Sequence, residues 1–176
     1  VYYLEASYAI EGQRQTVKPG RGDQAYARGG VVPTPVFQRP DKRYPMLRYP
    51  WADARAALMA LAHDRPDLDA VQVTYVNPET GDDAENILGF YALMPRPGQT
   101  LTLPARSPAS VFHLIEGSAE VSVEGQRFAL DEADTCCAPG FAAITLRNRR
   151  SDASAFLFVA DESPLHRKLG LYETRP

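Results

Sequence analysis

Apolar and polar residues alternate along most of the second half of the chain, with the two-residue period of half-buried β-strands. Nine segments carry this pattern, or a short apolar run, between turn residues. Closely spaced strands separated by turns predict an all-β sandwich or barrel. The predicted strands span 70–76, 88–94, 100–103, 110–115, 119–123, 126–130, 135–137, 142–147 and 155–160.

The turns between these strands carry their own signals. Glu124-Gly125 separates two alternating segments and predicts a tight hairpin. The stretch from Asn77 to Gly81, Asn-Pro-Glu-Thr-Gly, predicts a turn after the first strand.

Two segments follow a helical period instead. Apolar residues recur three or four positions apart over 53–64, and a proline flanks this segment at each end. The segment 163–171 predicts a short C-terminal helix, with Ser163 as its N-cap, Pro164 at its first position and Gly170 near its end.

The first 47 residues have a different composition. Prolines and glycines interrupt any regular element after residue 11, and residues 1–9 are compatible with either a short helix or a short strand. An irregular segment of this length indicates packing on a neighbour or a link between domains. We therefore divide the chain into an arm, 1–47, and a β-domain with its preceding helix, 48–176. Apolar residues within the arm favour packing over disorder: Val31, Val32, Val36, Phe37, Tyr44 and Met46.

Composition excludes several function classes. The 176 residues suit one domain with an arm, and 44% hydrophobic residues can form a substantial core. A net charge of -3 with mixed signs predicts no nucleic-acid partner, and the lack of a long apolar run predicts no membrane span.

Cys136 and Cys137 are adjacent, so on a strand they face opposite sides and form no disulfide. Free thiols and a first segment unlike a signal peptide predict the cytoplasm.

The spacing of turn residues in the second half adds a more specific signal. Gly98, Gly117, Pro139 and Asn148 fit the frame G-x5-H-x-H-x3-4-E-x6-G followed by G-x5-P-x-G-x2-H-x3-N. The chain resembles the cupins at these positions, since this frame is their double motif. The resemblance implies an all-β cupin barrel (a double-stranded β-helix or jelly roll) with an irregular N-terminal arm and one or two short helices. Two glycines of the frame are replaced, by Ala133 and Phe141.

The same frame locates the positions at which a cupin holds its metal. Where the motif has its histidines and glutamate, this chain has Pro104, Arg106, Ser110 and Ile144. Proline and isoleucine side chains have no donor atom, and arginine is a fixed cation that repels a divalent ion. Serine alone is a poor ligand for Fe(II), which prefers imidazole and carboxylate. We therefore expect no metal in this domain.

The three histidines of the chain do not replace the missing ligands. His63 lies at the end of the predicted helix and His166 near the C-terminus. His113 is one residue out of phase with Arg106 and Ser110 on an alternating strand, so we expect it to face away from the barrel interior. Surface or interface roles are the prediction for all three.

Four longer stretches follow one another along the chain: Arg48-Tyr49-Pro50-Trp51 before the helix, Tyr75 to Gly81, Val111 to Gly117, and Asp161 to Leu165 with Leu169-Gly170-Leu171. In this order they resemble the C-terminal cupin domain of the gentisate 1,2-dioxygenase family. The resemblance implies a parent protein that uses Fe(II) and O2 to open the ring of gentisate or a related hydroxylated aromatic acid. It also implies that the iron lies in an N-terminal cupin, and that the arm corresponds to the linker between two cupins.

Three functions remain open at this point. The domain is structural, closing a two-cupin protein against its N-terminal cupin and forming a homo-oligomer. Alternatively it binds an aromatic or other organic acid, with Arg106 as the anchor and Ser110, Phe112 and Ile144 as pocket candidates. An arginine directed into a barrel needs either such an anion or a carboxylate partner. In the third possibility, the parent has lost catalysis altogether and both cupins serve interactions.

Overall fold

The computed structural model describes residues 48–78 and 80–175. The arm predicted over 1–47, including the possible element at 1–9, lies outside this part of the chain. The helices are α1 (Trp51–Asp64) and α2 (Ser163–Leu169). The strands are β1 (Val71–Thr74), β2 (Gly89–Met94), β3 (Thr100–Leu103), β4 (Ala105–Arg106), β5 (Ser110–Glu116), β6 (Ala119–Val123), β7 (Gln126–Leu130), β8 (Thr135–Ala138), β9 (Ile144–Asn148), β10 (Phe156–Asp161) and β11 (Thr174–Arg175).

Two antiparallel sheets form the body of the domain. The first has the strand order β1-β2-β10-β5-β8, and the second has the order β3-β9-β6-β7. All nine predicted strands are present, with ends shifted by a few residues. A separate two-stranded ladder, β4-β11, was not predicted, because a two-residue strand shows no period in the sequence.

The core lies between the inner faces of the two sheets. Phe112 and Leu114 of β5 are fully buried, and Val121 and Leu146 face them from the second sheet. The predicted alternation is confirmed on β5, where Val111 between the buried positions is 39% exposed. Each large apolar side chain buried in this way contributes about 1.5–3 kcal/mol.

Helix α1 covers part of the outer face of the first sheet. Leu58 is its fully buried residue, and it packs with Val71, Ala92 and Phe156 of that sheet. No side chain caps the N-terminus of α1, which begins after Pro50. Tertiary packing therefore fixes this helix rather than local capping. Within the described ranges, no helix has the length and apolar content needed to cross a membrane.

Helix α2 corrects one sequence prediction. Ser163 was expected at the N-cap, but Glu162 occupies the cap position and Ser163 is the first helical residue. The amide of Ser163 donates to Oδ1 of Asp161 at 2.9 Å, so a carboxylate from the preceding strand provides the capping acceptor. Pro164 at the start is confirmed, and Gly170 ends the helix at a φ of 69°.

Candidate site at the mouth of the barrel

The turn positions of the cupin frame keep their backbone geometry even where glycine is absent. Gly98 and Gly117 have φ values of 67° and 94°. Ala133 and Phe141, which replace glycines of the motif, also lie in the left-handed region, at 73° and 60°. A side chain in this region costs about 1–2 kcal/mol. The domain therefore retains the turns of the frame at an energetic cost.

Asn148, the last residue of the frame, has a structural role. Its side chain is 1% exposed, and Nδ2 donates to the carbonyl oxygens of Pro95, Arg96 and Ala153 at 3.3, 3.1 and 2.8 Å. Its Oδ1 accepts from the amide of Arg150 at 3.0 Å. The residue thus satisfies four backbone groups where three segments of chain meet, as a buried amide must.

The candidate site residues fall into three environments. Pro104 is exposed between β3 and β4. Arg106 lies in β4 with its side chain 23% exposed, and Ser110 begins β5 at 4% exposure. Phe112 and Ile144, at 0% and 7%, belong to the core between the sheets. The structure therefore brings Arg106 and Ser110 to the same residue, Asp161 at the end of β10, whereas Phe112 and Ile144 contribute to packing.

Arg106 has a carboxylate partner. Its Nη2 lies 3.2 Å from Oδ2 of Asp161, a side chain with 0% exposure that ends β10 directly opposite Ser110. Oδ1 of Asp161 accepts from the hydroxyl of Tyr91 at 3.3 Å and from the amide of Ser163 at 2.9 Å. Burial and the charge of Asp161 raise the pKa of Tyr91 above its ordinary value, so the phenol stays protonated and donates.

Two atoms of this group are incompletely satisfied. Oδ2 of Asp161 is at ion-pair distance from Arg106 but makes no aligned hydrogen bond, and Oγ of Ser163 has no partner. The backbone around them is tightly packed. A Cβ at Gly89 would lie 2.5 Å from the hydroxyl of Tyr91 and 3.1 Å from Oδ1 of Asp161, so a side chain there would displace Tyr91.

The C-terminal tail crosses the strand that carries Arg106. Thr174 of β11 pairs with Arg106 of β4. Ser107 fixes the tail: its amide donates to the carbonyl of Glu173 at 2.9 Å, and its Oγ lies 3.0 Å from the carbonyl of Leu171. The same Oγ lies 2.9 Å from Nδ1 of His166. Because this hydroxyl bonds to the tail, the contact with His166 serves as an anchor rather than as a nucleophilic pair.

The remaining reactive side chains are dispersed. His113 faces away from the core, as predicted, and its Nδ1 lies 2.9 Å from Oγ1 of Thr135. His63 is exposed at the end of α1. Cys136 is buried and Cys137 exposed, both as free thiols, which confirms that they face opposite sides of β8. Among the residues that the structure describes, no three histidine, cysteine, aspartate or glutamate side chains form a metal-binding group.

The residues at the ligand positions do not fit a divalent metal. Fe(II) needs several neutral nitrogen or anionic oxygen donors that converge on one point. Around Asp161 the polar groups are the guanidinium cation of Arg106, the carboxylate itself and the serine opposite it. The one carboxylate is already neutralised by Arg106, so we derive no step through iron here.

Relatives of the chain were found among known proteins, although no protein-family model matches it. A gentisate 1,2-dioxygenase from a Ralstonia species is 70% identical over 175 residues, a match that covers 99% of this chain and 49% of that protein. The resemblance to the gentisate 1,2-dioxygenases is confirmed. A 5-aminosalicylate 1,2-dioxygenase from a Comamonas species is 26% identical, over 98% of this chain and 46% of that protein. The chain thus spans about half the length of the curated relatives it matches.

A solved structure confirms the predicted all-β cupin fold. A salicylate 1,2-dioxygenase from Pseudoaminobacter salicylatoxidans, solved with gentisate, aligns with a TM-score of 0.69 at 22% identity. The alignment covers 88% of this chain and 43% of that protein. At this identity the likeness establishes the architecture alone.

Sequence reasoning missed Asp161 as the partner of Arg106. A signal was present in the sequence. Leu157, Val159 and Asp161 are alternate residues of β10, so they point to the same, buried side of the strand, and the last of them is charged. The sequence could not show that β4 would bring an arginine to the same end of the barrel.

Proposed function

We propose that this chain is the metal-free, structural half of a two-barrel dioxygenase of the gentisate type. The other half of the parent would hold Fe(II) and cleave the ring of a hydroxylated aromatic acid. Two findings support this: the 70% identity to a gentisate 1,2-dioxygenase, and the coverage of only 49% of that relative. Contacts with the other barrel and with further copies of the protein would be its contribution, in the cytoplasm, where free thiols persist.

The ion pair of Arg106 and Asp161 is the observation that carries the proposal. It joins Arg106, one of the four altered motif positions, to a fully buried carboxylate of β10, and the two opposite charges form a structural contact there. The turns of the frame are kept at the same time, including Ala133 and Phe141 in left-handed geometry. Retained turns together with an ion pair at a motif position support a structural role for this domain over a metal-binding one.

An iron-binding measurement tests the proposal. The purified chain is incubated with Fe(II) under anaerobic conditions, dialysed and analysed for metal. We expect well below one iron per chain, and a stoichiometric content would contradict the proposal. A matched control restores the motif residues with Pro104→His, Arg106→His, Ser110→Glu and Ile144→His, and its iron uptake, with the fold checked by circular dichroism, shows that the assay detects such a site.

The second candidate is a binding module for an organic acid. The 23% exposure of Arg106 favours it, because solvent reaches the guanidinium. However, a ligand carboxylate would have to compete with the fully buried Asp161 for the guanidinium of Arg106. This competition favours the structural role over acid binding. Calorimetric titration with gentisate, salicylate and benzoate distinguishes the two. Binding that disappears in Arg106→Ala would establish the module, whereas no heat across the three acids supports the scaffold.

A parent without any catalysis is the third possibility. It is tested on the whole protein, with the residues that precede Val1 included. Our proposal predicts that the whole protein contains iron and cleaves the ring, and that its Arg106→Ala variant keeps the iron. A whole protein that neither contains iron nor cleaves the ring would favour a purely interacting parent.

A further inference from the structure

Strand β7 forms one edge of the second sheet. The order β3-β9-β6-β7 places it last, and among the residues that the structure describes no strand pairs with its other side. Its first four residues, 126–129, are all exposed. An edge strand presents unpaired backbone N–H and C=O groups, which proteins either protect or use for pairing with another chain. The free edge of β7 is therefore a candidate contact surface.

The hairpin between β6 and β7 fixes which backbone groups of β7 point outward. The two turn residues, 124–125, have φ values of 51° and 81°, as in the tight turns that join antiparallel strands. In such a hairpin the residues that flank the turn form a hydrogen-bonded pair, and bonded and non-bonded pairs alternate from there. Gln126 and Phe128 therefore bond to β6, whereas Arg127 and Ala129 direct their N–H and C=O groups to the free edge.

Phe128 shows that this edge is also open on its inner side. It pairs with Val121 of β6, so both side chains lie on the inner face of the sheet. Val121 is fully buried, whereas Phe128 is 40% exposed. A contact that covers the rest of the ring would be favourable, because it removes apolar area from water.

We propose that β7 pairs with β7 of a second copy of this chain, antiparallel and about a two-fold axis at Phe128. Arg127 of each copy then lies opposite Ala129 of the other, and their outward N–H and C=O groups bond across the axis. The two Phe128 rings meet directly on the inner face. The inference deepens the proposed function, on which it rests for a contact between copies.

Charge complementarity favours a second copy as the occupant. Arg127 and Ala129 lie on the outer face of the sheet, and Ala129 pairs with Glu120 of β6. Asp131 comes directly after the strand with its side chain 80% exposed. An Arg127 side chain laid over the small Ala129 of the other copy would have Glu120 beside it and Asp131 as its diagonal neighbour, within reach of a long side chain. The two-fold axis repeats this arrangement, so both arginines gain acidic neighbours.

The neighbouring registers are less favourable than the one at Phe128. A shift of the axis to Arg127 would place the two guanidinium cations opposite each other, which is repulsive. A shift to Ala129 would require backbone pairing at Asp131. Its N–H already donates to Oδ2 of Asp134 at 2.9 Å, and its C=O accepts from the amide of Asp134 at 3.0 Å.

Sedimentation equilibrium of the complete 176-residue chain over a range of concentrations tests the contact. We expect a reversible dimer. Ala129→Pro removes an N–H that is not bonded to β6, and proline is tolerated at such an edge position. It is expected to weaken the dimer by about tenfold or more, because one hydrogen bond is lost from each copy. The matched control, Ala129→Ser, keeps the N–H and is expected to keep the dimer.

Disulfide cross-linking tests the register. Phe128→Cys is made with Cys136→Ala and Cys137→Ala, so that no other thiol reacts, and is oxidised with copper phenanthroline. We expect a covalent dimer, because residues on the axis are directly opposite each other. The matched control is Gln126→Cys in the same background. Position 126 lies on the same face, but its two copies would be about 13 Å apart along the strands, which is too far for a disulfide.

Three results would overturn the proposal. They are a chain that stays monomeric, an Ala129→Pro variant that dimerises as tightly as Ala129→Ser, and equal cross-linking at positions 126 and 128. Absence of the Phe128→Cys cross-link in the whole protein would also overturn it, because the other barrel would then cover β7. None of these measurements depends on metal, so iron content tests the proposed function separately.

Discussion

The pair formed by Arg106 and Asp161 allows a quantitative prediction. Replacing Asp161 by alanine removes the acceptor of Tyr91 and of the Ser163 amide, and it leaves Arg106 without its countercharge. Breaking a fully buried ion pair costs about 3–5 kcal/mol. Arg106 is 23% exposed and can turn partly to water, so we expect a value near the lower limit, about 3 kcal/mol.

The reverse substitution removes only the cation. Arg106→Ala leaves the Asp161 carboxylate buried, with its hydrogen bonds from Tyr91 and Ser163 intact. We expect a loss of about 2–3 kcal/mol, because those donors still offset part of the desolvation of the charge. Since both variants lose the same ion pair, the double variant is expected to lose only about 3–4 kcal/mol. The coupling between the two residues is then about 2 kcal/mol.

Urea unfolding followed by circular dichroism measures these values. Arg150 and Asp152 supply the control pair, at 2.8 Å but with side chains 51% and 68% exposed. We expect Asp152→Ala to leave the free energy of unfolding almost unchanged, because water screens an exposed pair. Additive losses in the Arg106 and Asp161 variants, each below about 1 kcal/mol, would refute the view that this pair is a buried structural contact.

Three further predictions concern other parts of the barrel. Ala133→Gly is expected to raise the free energy of unfolding by about 1 kcal/mol in urea, since it relieves a left-handed alanine; an unchanged value would contradict this. Burial opposes the ionisation of Glu116, but hydrogen bonds from Trp51 and Arg55 outweigh it and lower its pKa. The stability that this carboxylate provides is therefore complete above its unfolded-state pKa of about 4.3, and it is lost as the pH falls through the lower pKa of the folded state. Glu116→Gln should flatten the low-pH part of a curve of unfolding free energy against pH. Burial raises the pKa of the Cys136 thiol, so Ellman's reagent should modify Cys137 quickly and Cys136 only on unfolding, and equal rates would contradict the structure.

The turns show which parts of the cupin motif the sequence can predict and which it cannot. A hairpin of Glu124 and Gly125 and a turn from Asn77 to Gly81 are local structures, and both were predicted correctly. Ala133 and Phe141 were recognised as altered frame positions, but their left-handed geometry does not follow from their residue types. The surrounding barrel imposes that geometry, because tertiary packing can outweigh a local preference of about 1–2 kcal/mol.

The helix start at Ser163 shows the opposite case. Serine followed by proline is a good local signal for a helix N-terminus, and the prediction was wrong by one position. The acceptor came from Asp161, a strand residue that also serves Tyr91 and Arg106. A carboxylate held by tertiary contacts replaced the side-chain cap that the local sequence suggested.

The sequence by itself determined the all-β class, the nine main strands and α1, and it places residues other than histidine and glutamate at Pro104, Arg106, Ser110 and Ile144. These properties depend on period, on turn residues and on the donor atoms of single side chains, all of which are local. Only the tertiary structure decided which side chain pairs with Arg106. The pairing of Arg106 with Asp161 joins residues 55 positions apart in the sequence, and the β4-β11 ladder joins two-residue strands without a sequence period. Contacts of this kind depend on how distant strands pair and pack, which no local pattern encodes.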